Sequence, residues 1–216
     1  MFKTKICGVT NVTDARLVRD AGADAIGLNF YPQSPRYIER ATAQEIVSSL
    51  DDRIVKVGLF VNAPAEEIID SYDRLGLDLI QLHGDEPPEF LRGLGDRPVM
   101  RAFRVGPEGL DPVADYLGRC RETNCQPAMV LLDAYQKDAY GGTGETANWS
   151  ALADRGNCLG DIPLVLAGGL TGENVTAAIN QVRPAAVDTA SGVESAPGKK
   201  DPDLVREFVA AAKAAL

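Results

Sequence analysis

A cysteine stands at the end of the first apolar stretch of the sequence, directly before a glycine. Cys7 closes an expected strand over residues 2–7, and Gly8 starts the turn into a helix. This order places a thiol at a sheet edge beside a flexible turn. The thiol could act as a nucleophile or as a general base, because a cysteine pKa of about 8.5 needs only modest lowering to supply thiolate near neutrality. Free cysteines are also commonly buried, inert packing residues, so the residue type alone leaves both interpretations open.

A carboxylate ends another apolar stretch. Asp133 follows an expected strand over residues 128–132, and desolvation at such a position would raise its pKa and suit a general acid. A capping or ion-paired aspartate is the alternative. The next segment, residues 134–148, contains the run Gly141-Gly142-Thr143-Gly144. This run lacks the Lys-Ser/Thr pair that a nucleotide P-loop requires. We expect this segment to cover a pocket, with Gly142 in its lining.

Glycines cluster after two later strands. Gly168 and Gly169 follow one strand, and Ser191 and Gly192 follow the next. Glycine allows backbone amides to approach an anion without an intervening side chain. A single glycine pair indicates only a turn, but two pairs in these two loops favour a phosphate-binding site.

Three further polar residues follow predicted strands. Arg36 lies in a proline-rich loop and could hold a carboxylate with two parallel hydrogen bonds, although a solvated surface arginine is the commoner case. Asn29 and His83 are expected to line a pocket rather than to react. Asp188 and Asp201 are expected to orient loops.

The elements that position these residues alternate regularly along the chain. Strand-like runs rich in apolar and β-branched residues are each followed by a helical pattern. The strands are expected at residues 2–7, 25–30, 54–60, 77–82, 98–104, 128–132, 163–166 and 186–188. The helices are expected at residues 11–21, 42–50, 64–75, 87–94, 109–121, 149–155, 173–182 and 202–214.

Eight strand–helix units predict an α/β protein, a single (β/α)8 TIM barrel that occupies residues 1–216 as one domain. The competing fold is a doubly wound open sheet. That fold favours a Gly-x-Gly-x-x-Gly run after the first strand, and the sequence Cys7-Gly8-Val9-Thr10 differs from it. In a barrel the carboxyl ends of all strands share one face, so the candidate residues can meet in one mouth despite their distance in sequence.

Composition limits the partners. The net charge of −9 argues against nucleic acid, and the sequence contains no run of eighteen apolar residues that would predict a membrane span. The four cysteines and single histidine lack zinc-ligand spacing, so no metal is expected. With no secretion signal at the N-terminus, we expect a cytoplasmic protein with reduced thiols, either a monomer or a homodimer.

Seven motifs resemble the phosphoribosylanthranilate isomerase family, in order and over nearly the whole chain. They are Lys5-Ile6-Cys7-Gly8, Phe30 through Ser34-Pro35-Arg36, Gly58-Leu59-Phe60-Val61-Asn62, Gln81-Leu82-His83-Gly84, Asp133 with Gly141-Gly142-Thr143-Gly144, Leu166-Ala167-Gly168-Gly169-Leu170, and Ser191-Gly192-Val193-Glu194.

The resemblance implies an isomerase of tryptophan biosynthesis that acts on a phosphosugar–anthranilate substrate by an Amadori rearrangement. It implies Cys7 as general base, Asp133 as general acid and Arg36 as the group that holds the anthranilate carboxylate. The loops with Gly168, Gly169, Ser191 and Gly192 would hold the phosphate, and no cofactor would be needed.

Three other functions remain to be weighed. A barrel resembling indole-glycerol-phosphate synthase would need a lysine at a strand end, where this chain has Cys7. A histidine-pathway aminoaldose isomerase would carry an aspartate at the same place. A non-catalytic phosphosugar-binding barrel would keep the glycine loops and would need neither Cys7 nor Asp133.

Overall fold

The chain folds into a closed barrel of parallel strands. The computed structural model describes residues 2–106, 108–133, 149–153 and 158–216. In this part of the chain the barrel strands pair in sequence order, and the first also pairs with the last. They are β1 (Thr4–Cys7), β2 (Ala25–Asn29), β3 (Val55–Phe60), β4 (Leu79–Leu82), β5 (Val99–Arg104), β6 (Met129–Asp133), β7 (Leu164–Ala167) and β8 (Ala186–Thr189). The predicted (β/α)8 barrel is confirmed.

A helix follows each barrel strand. The helices are α1 (Val12–Asp20), α2 (Arg40–Ser48), α3 (Ala65–Leu75), α4 (Phe90–Gly93), α5 (Asp111–Glu122), α6 (Trp149–Ala153), α7 (Val175–Val182) and α8 (Pro202–Ala215). The predicted elements are all present, with ends that differ by a few residues. The predicted end of the sixth helix, at residue 155, lies outside the described residues. Over the ranges described, no helix has both the length and the apolar character needed to cross a bilayer.

The helix ends follow from local side-chain chemistry. The Asn11 side chain caps α1 by accepting a hydrogen bond from the Asp14 amide at 2.8 Å. Gly76 ends α3 in the left-handed conformation, with φ of 61°. Asp201 caps α8 by accepting hydrogen bonds from two backbone amides of the first turn. Asp201, which was expected to orient a loop, therefore also fixes the start of a helix.

Three local features differ from the prediction. Helix α4 is one turn long, because the segment begins with Pro87 and Pro88, and the first bonds, such as Phe90 N–H to the Pro87 carbonyl, span three residues. A short antiparallel hairpin, β9 (Glu194–Ala196) and β10 (Lys199–Lys200), follows a 3₁₀ turn at Ser191–Val193 and was not predicted. Asp188 was predicted to orient a loop, and this is wrong, since it is a buried member of β8.

The apolar side chains form two clusters that support the mouth from different sides. The larger cluster fills the space between the strands and the helices. The smaller one fills the barrel interior beneath the mouth, and its members are Phe2, Ala25, Val57, Leu79, Met100, Ala102, Met129, Leu131, Val165, Ala167 and Ala186. The strand ends are therefore held by packing on both faces, which fixes the polar residues that follow them.

Candidate active site

A cavity of about 670 Å³ opens at the carboxyl ends of the strands. Eight residues predicted from the sequence line it: Cys7, Asn29, Arg36, His83, Asp133, Gly168, Gly169 and Ser191. Gly192 is not among the lining residues, and the predicted lining residue Gly142 lies outside the described residues, as does the expected cover over residues 134–148. The structure therefore brings together side chains that are more than 120 residues apart in sequence. Their chemical roles remain predictions.

Cys7 ends β1 with its side chain turned into the barrel, directly above Lys5. Gly27 of β2 pairs with Cys7, and a methyl group on Gly27 would lie 2.7 Å from the Cys7 Sγ and 3.1 Å from the Lys5 Nζ. Contacts this short do not occur, so the bare glycine provides the space that both groups use. The thiol and the ammonium group are consequently neighbours inside the mouth.

The electrostatics of Cys7 differ from the sequence-based expectation of an easily formed thiolate. Burial raises the pKa of the Cys7 thiol above its ordinary value, and Lys5 and Lys200 offset part of this increase. Cys7 is 7% exposed, so the charged form of its thiol loses most of its hydration. A thiolate formed here would be scarce at neutral pH but strongly basic, which is a useful property for removing a proton from carbon.

Lys5 and Asp188 form a buried ion pair on the floor of the cavity. The Lys5 Nζ lies 2.9 Å from the Asp188 Oδ1, and the lysine is fully buried. Burial lowers the pKa of Lys5, but the charges of Asp188 and Cys7 outweigh this effect and raise it, so the ammonium stays charged. Asp133 is close enough to Asp188 for their carboxyl groups to interact. One connected set of charges thus runs from the thiol of Cys7 toward the carboxyl of Asp133.

We expect Lys5→Gln to slow alkylation of Cys7 by iodoacetamide near pH 8. Loss of the ammonium removes the nearest charge that stabilises the thiolate, so the pKa of the thiol rises further. The rate is measured by mass spectrometry of the peptide that contains Cys7, across a range of pH. Lys56→Gln is the control, because Lys56 is also a buried lysine but pairs with Asp78, and an equal effect of both substitutions would contradict the expectation.

Gln81 and His83 project from β4 into the same cavity. The Gln81 Oε1 and the His83 Nε2 are buried and have no hydrogen-bond partner among the described residues. Burial, together with the nearby charges of Arg104 and Lys5, lowers the pKa of His83 to about 4, so its imidazole is neutral at pH 7. These two groups are suited to hydrogen-bond a ligand and not to carry charge. His83 was predicted to line the pocket, whereas Gln81 was missed.

Arg36 reaches the cavity from the loop after β2. Its guanidinium makes two hydrogen bonds to the Glu194 carboxylate, from Nε to Oε1 at 2.8 Å and from Nη2 to Oε2 at 2.7 Å. The sequence predicted a bidentate carboxylate partner for Arg36. The structure shows that one such partner, Glu194 on β9, belongs to the chain itself, and this pairing was not predicted.

The glycines after β7 line the cavity, whereas the glycine after β8 allows two loops to pack closely. Gly168 and Gly169 line the cavity with φ of 100° and 66°, a backbone conformation that side chains disfavour. Ser191 lines the cavity at the start of the 3₁₀ turn. Gly192 lies behind this surface, where a Cβ would overlap the carbonyl oxygen of Leu170. Its missing side chain lets the two loops approach each other closely.

We expect Gly192→Ala to lower the free energy of unfolding by about 1–3 kcal/mol, because the added methyl group forces the backbone of the two loops apart. The measurement is urea denaturation monitored by circular dichroism. Gly118→Ala is the control: Gly118 lies inside α5, where a Cβ would come no nearer than 3.9 Å to Arg121, so stability should hold or rise. Equal stability of the two variants would contradict this account.

A parallel eight-stranded barrel with its polar residues gathered at the carboxyl ends of the strands has the architecture of (β/α)8-barrel enzymes. Comparison with known proteins narrows this class. Residues 4–211 match the model of the family described as N-(5'-phosphoribosyl)anthranilate (PRA) isomerase. The chain therefore belongs to the N-(5'-phosphoribosyl)anthranilate isomerase family.

Individual relatives agree over the full length. The N-(5'-phosphoribosyl)anthranilate isomerase of Trichlorobacter lovleyi is 50% identical to this chain over 221 residues, which cover 100% of both chains. The enzyme of that name from Geobacter sulfurreducens is 48% identical to this chain over 214 residues, which cover 99% of both chains. The phosphoribosylanthranilate isomerase structure from Thermotoga maritima superposes with a TM-score of 0.84 at 40% identity, covering 99% of this chain and 100% of that one. A further structure of such an isomerase (TM-score 0.82, 39% identity, covering 99% of this chain and 100% of that one) contains reduced 1-(o-carboxyphenylamino)-1-deoxyribulose 5-phosphate.

Proposed function

We propose that the protein converts N-(5-phosphoribosyl)anthranilate to 1-(2-carboxyphenylamino)-1-deoxyribulose 5-phosphate, an Amadori rearrangement in tryptophan biosynthesis. The observation that carries the proposal is that Cys7, Asp133, Arg36 and the glycine loop at Gly168 line one and the same cavity. Membership of the isomerase family and full-length similarity to enzymes of that name support it.

The substrate would be held at its two charged ends. The amides of Gly168 and Gly169, with the Ser191 segment, would bind the phosphate, because glycine backbone can close around an anion. Arg36 would bind the anthranilate carboxylate with its guanidinium. With both ends fixed, the sugar carbons lie between Cys7 and Asp133, and this orientation supplies part of the rate acceleration.

The reaction would use two proton transfers. Asp133 gives its proton to the ring oxygen as the C1–O bond breaks, and the nitrogen lone pair forms an iminium with C1. The Cys7 thiolate then removes the proton from C2, and the C–H electron pair moves toward the nitrogen to give an enolamine. The enolamine tautomerises to the ketone. The substrate's own nitrogen accepts the electrons, so these steps use no cofactor. General acid and base catalysis each contribute about 10²–10⁴-fold.

The test is whether the purified protein turns over phosphoribosylanthranilate, and the reaction is monitored by the decrease in the fluorescence of this substrate. The expected result is catalytic conversion to the aminoketose phosphate. Binding without conversion would replace the proposal with a phosphosugar-binding barrel. Conversion of only the histidine-pathway aminoaldose, or formation of an indole product, would replace it with the corresponding barrel enzyme.

The proposal extends to the setting of the protein. Cys7, Cys120, Cys125 and Cys158 are all free thiols, which fits a reducing cytoplasm. We propose either a monomer or a homodimer.

A further inference from the structure

Glu194 is a buried carboxylate that joins two cations at the edge of the cavity. It begins β9, its side chain is 4% exposed, and it accepts both hydrogen bonds from Arg36. Its Oε1 also lies 2.8 Å from the Lys200 Nζ. The position of Arg36 is therefore set by a group on the hairpin and not only by its own loop.

The two bonds determine which edge of the Arg36 guanidinium remains available. They use the Nε and Nη2 donors on one side of the guanidinium. The edge that carries Nη1 stays available for another planar anion. The stem of Arg36 packs on the bare Cα of Gly8, where a Cβ would overlap the Arg36 Cδ. The guanidinium is thus fixed both along its stem and at one edge. Arg36 lines the cavity, so a carboxylate there can meet the remaining edge end-on.

Lys200 connects this arrangement to the strand that carries Cys7. Its side chain is fully buried, and its Nζ lies 2.7 Å from the Cys7 carbonyl oxygen, 3.0 Å from the Ala190 carbonyl oxygen and 2.8 Å from Glu194. An ammonium group has three N–H donors, and these three contacts use all of them. The Lys200 amide also donates to the Asp14 carboxylate at 2.9 Å. The hairpin is consequently tied to the ends of β1 and β8.

We propose that Glu194 and Lys200 form a positioning pair that holds the end of the Arg36 guanidinium toward the cavity and so determines the preference for a substrate with a ring carboxylate. The inference deepens the proposed function and rests on its assignment of Arg36. Neither Glu194 nor Lys200 reacts. Arg36, Glu194 and Lys200 together carry one net positive charge at this rim, and Arg36 is the member of the three that lines the cavity.

The experiment compares two probes that differ only in the ring carboxylate. One is reduced 1-(o-carboxyphenylamino)-1-deoxyribulose 5-phosphate, and the other is its phenylamino counterpart. Glu194→Gln should weaken binding of the first by about tenfold or more and of the second by less than about twofold, because an amide cannot accept both Arg36 hydrogen bonds. With substrate, KM should rise while kcat stays within about threefold, since uniform binding is lost and the acid–base groups are retained.

Glu89→Gln is the matched control. Glu89 also pairs with an arginine, at 2.7 Å from Arg119, but this pair is exposed on the outside of the barrel. The control should leave the affinity for both probes unchanged, because exposed ion pairs contribute little. Glu194→Asp provides a second variant. It keeps the charge but withdraws the carboxylate by one methylene, so it should also reduce the discrimination between the probes.

The outcomes separate this inference from the proposed function. If Arg36→Met binds both probes as the wild type does, the assignment of Arg36 to the carboxylate is wrong. If Arg36→Met loses the discrimination but both Glu194 variants keep it, Arg36 retains its role and the positioning pair is rejected. Equal weakening of both probes by the Glu194 variants would indicate a purely structural hairpin and would also overturn the inference. If one Glu194 variant does not fold, the affinities of the other variant for the two probes test the positioning pair.

Discussion

Cys7→Ala is expected to lower kcat by about 10²–10⁴-fold while binding of the reduced product analogue stays close to that of the wild type. The thiol lines the cavity and is the proposed acceptor of the C2 proton. Removing it abolishes proton transfer from carbon, whereas the groups that hold the phosphate and the carboxylate remain. Steady-state kinetics and a titration with the analogue measure the two quantities separately.

The substitution Cys7→Ser shows whether activity is lost because the thiol's volume is missing or because its basic anion is missing. Serine nearly fills the same space, but its hydroxyl is a far weaker acid than a thiol, so it supplies almost no anion near neutral pH. We therefore expect Cys7→Ser to be about as impaired as Cys7→Ala. Cys158→Ser is the control, because Cys158 is a free thiol that packs away from the cavity. Near-wild-type turnover in Cys7→Ser would remove Cys7 from the proposed mechanism.

Asp133→Asn is expected to reduce kcat by a similar factor, about 10²–10⁴-fold, because an amide has no proton of suitable acidity to give to the ring oxygen. Asp133 ends β6 with a partly buried side chain and lines the cavity. Asparagine has almost the same shape, so the fold and the affinity for the product analogue should change little. The measurement is kcat together with the dissociation constant of the analogue.

Asp203→Asn is the control for Asp133→Asn. Asp203 is an exposed aspartate in the first turn of α8 and pairs with Arg206 on the surface. This substitution is the same chemical change, a carboxyl group replaced by an amide, but it leaves the cavity intact, so kcat should not change. If Asp133→Asn retained wild-type kcat, ring opening would need a different proton donor, and the proposed acid would be wrong.

Much of the fold was predictable because each unit carries its own local signals. Strands such as β3 and β6 are short and mostly apolar, and Asn11 and Gly76 mark helix ends by their capping chemistry. Once a barrel was predicted, its topology alone placed Cys7 and Asp133 at the same face. The gathering of the candidate residues was thus an inference from connectivity, and Cys7 and Asp133 do line the same cavity.

The pairings inside the site were not predictable, because they depend on contacts between distant parts of the chain. Lys5 meets Asp188 across 183 residues, and Arg36 meets Glu194 across 158 residues. Nothing local distinguishes these from surface charges. A local signal existed for Gln81, which is a polar residue in the otherwise apolar strand β4. The raised pKa of Cys7 was also missed, because burial within the barrel is a property of the whole fold.

The seam of the barrel, where β1 pairs with β8, has a consequence for when the active site can form during synthesis and folding. Cys7 is synthesised long before Asp188, Glu194 and Lys200, which follow it by more than 180 residues. Lys200 contacts the backbone of both seam strands through Cys7 and Ala190. A nascent chain therefore carries its thiol and Lys5 for most of translation without Asp188 and Lys200, the charges that come from the later part of the chain. Activity should appear only when the C-terminal hairpin docks, so that joining of the seam and completion of the catalytic centre are the same event.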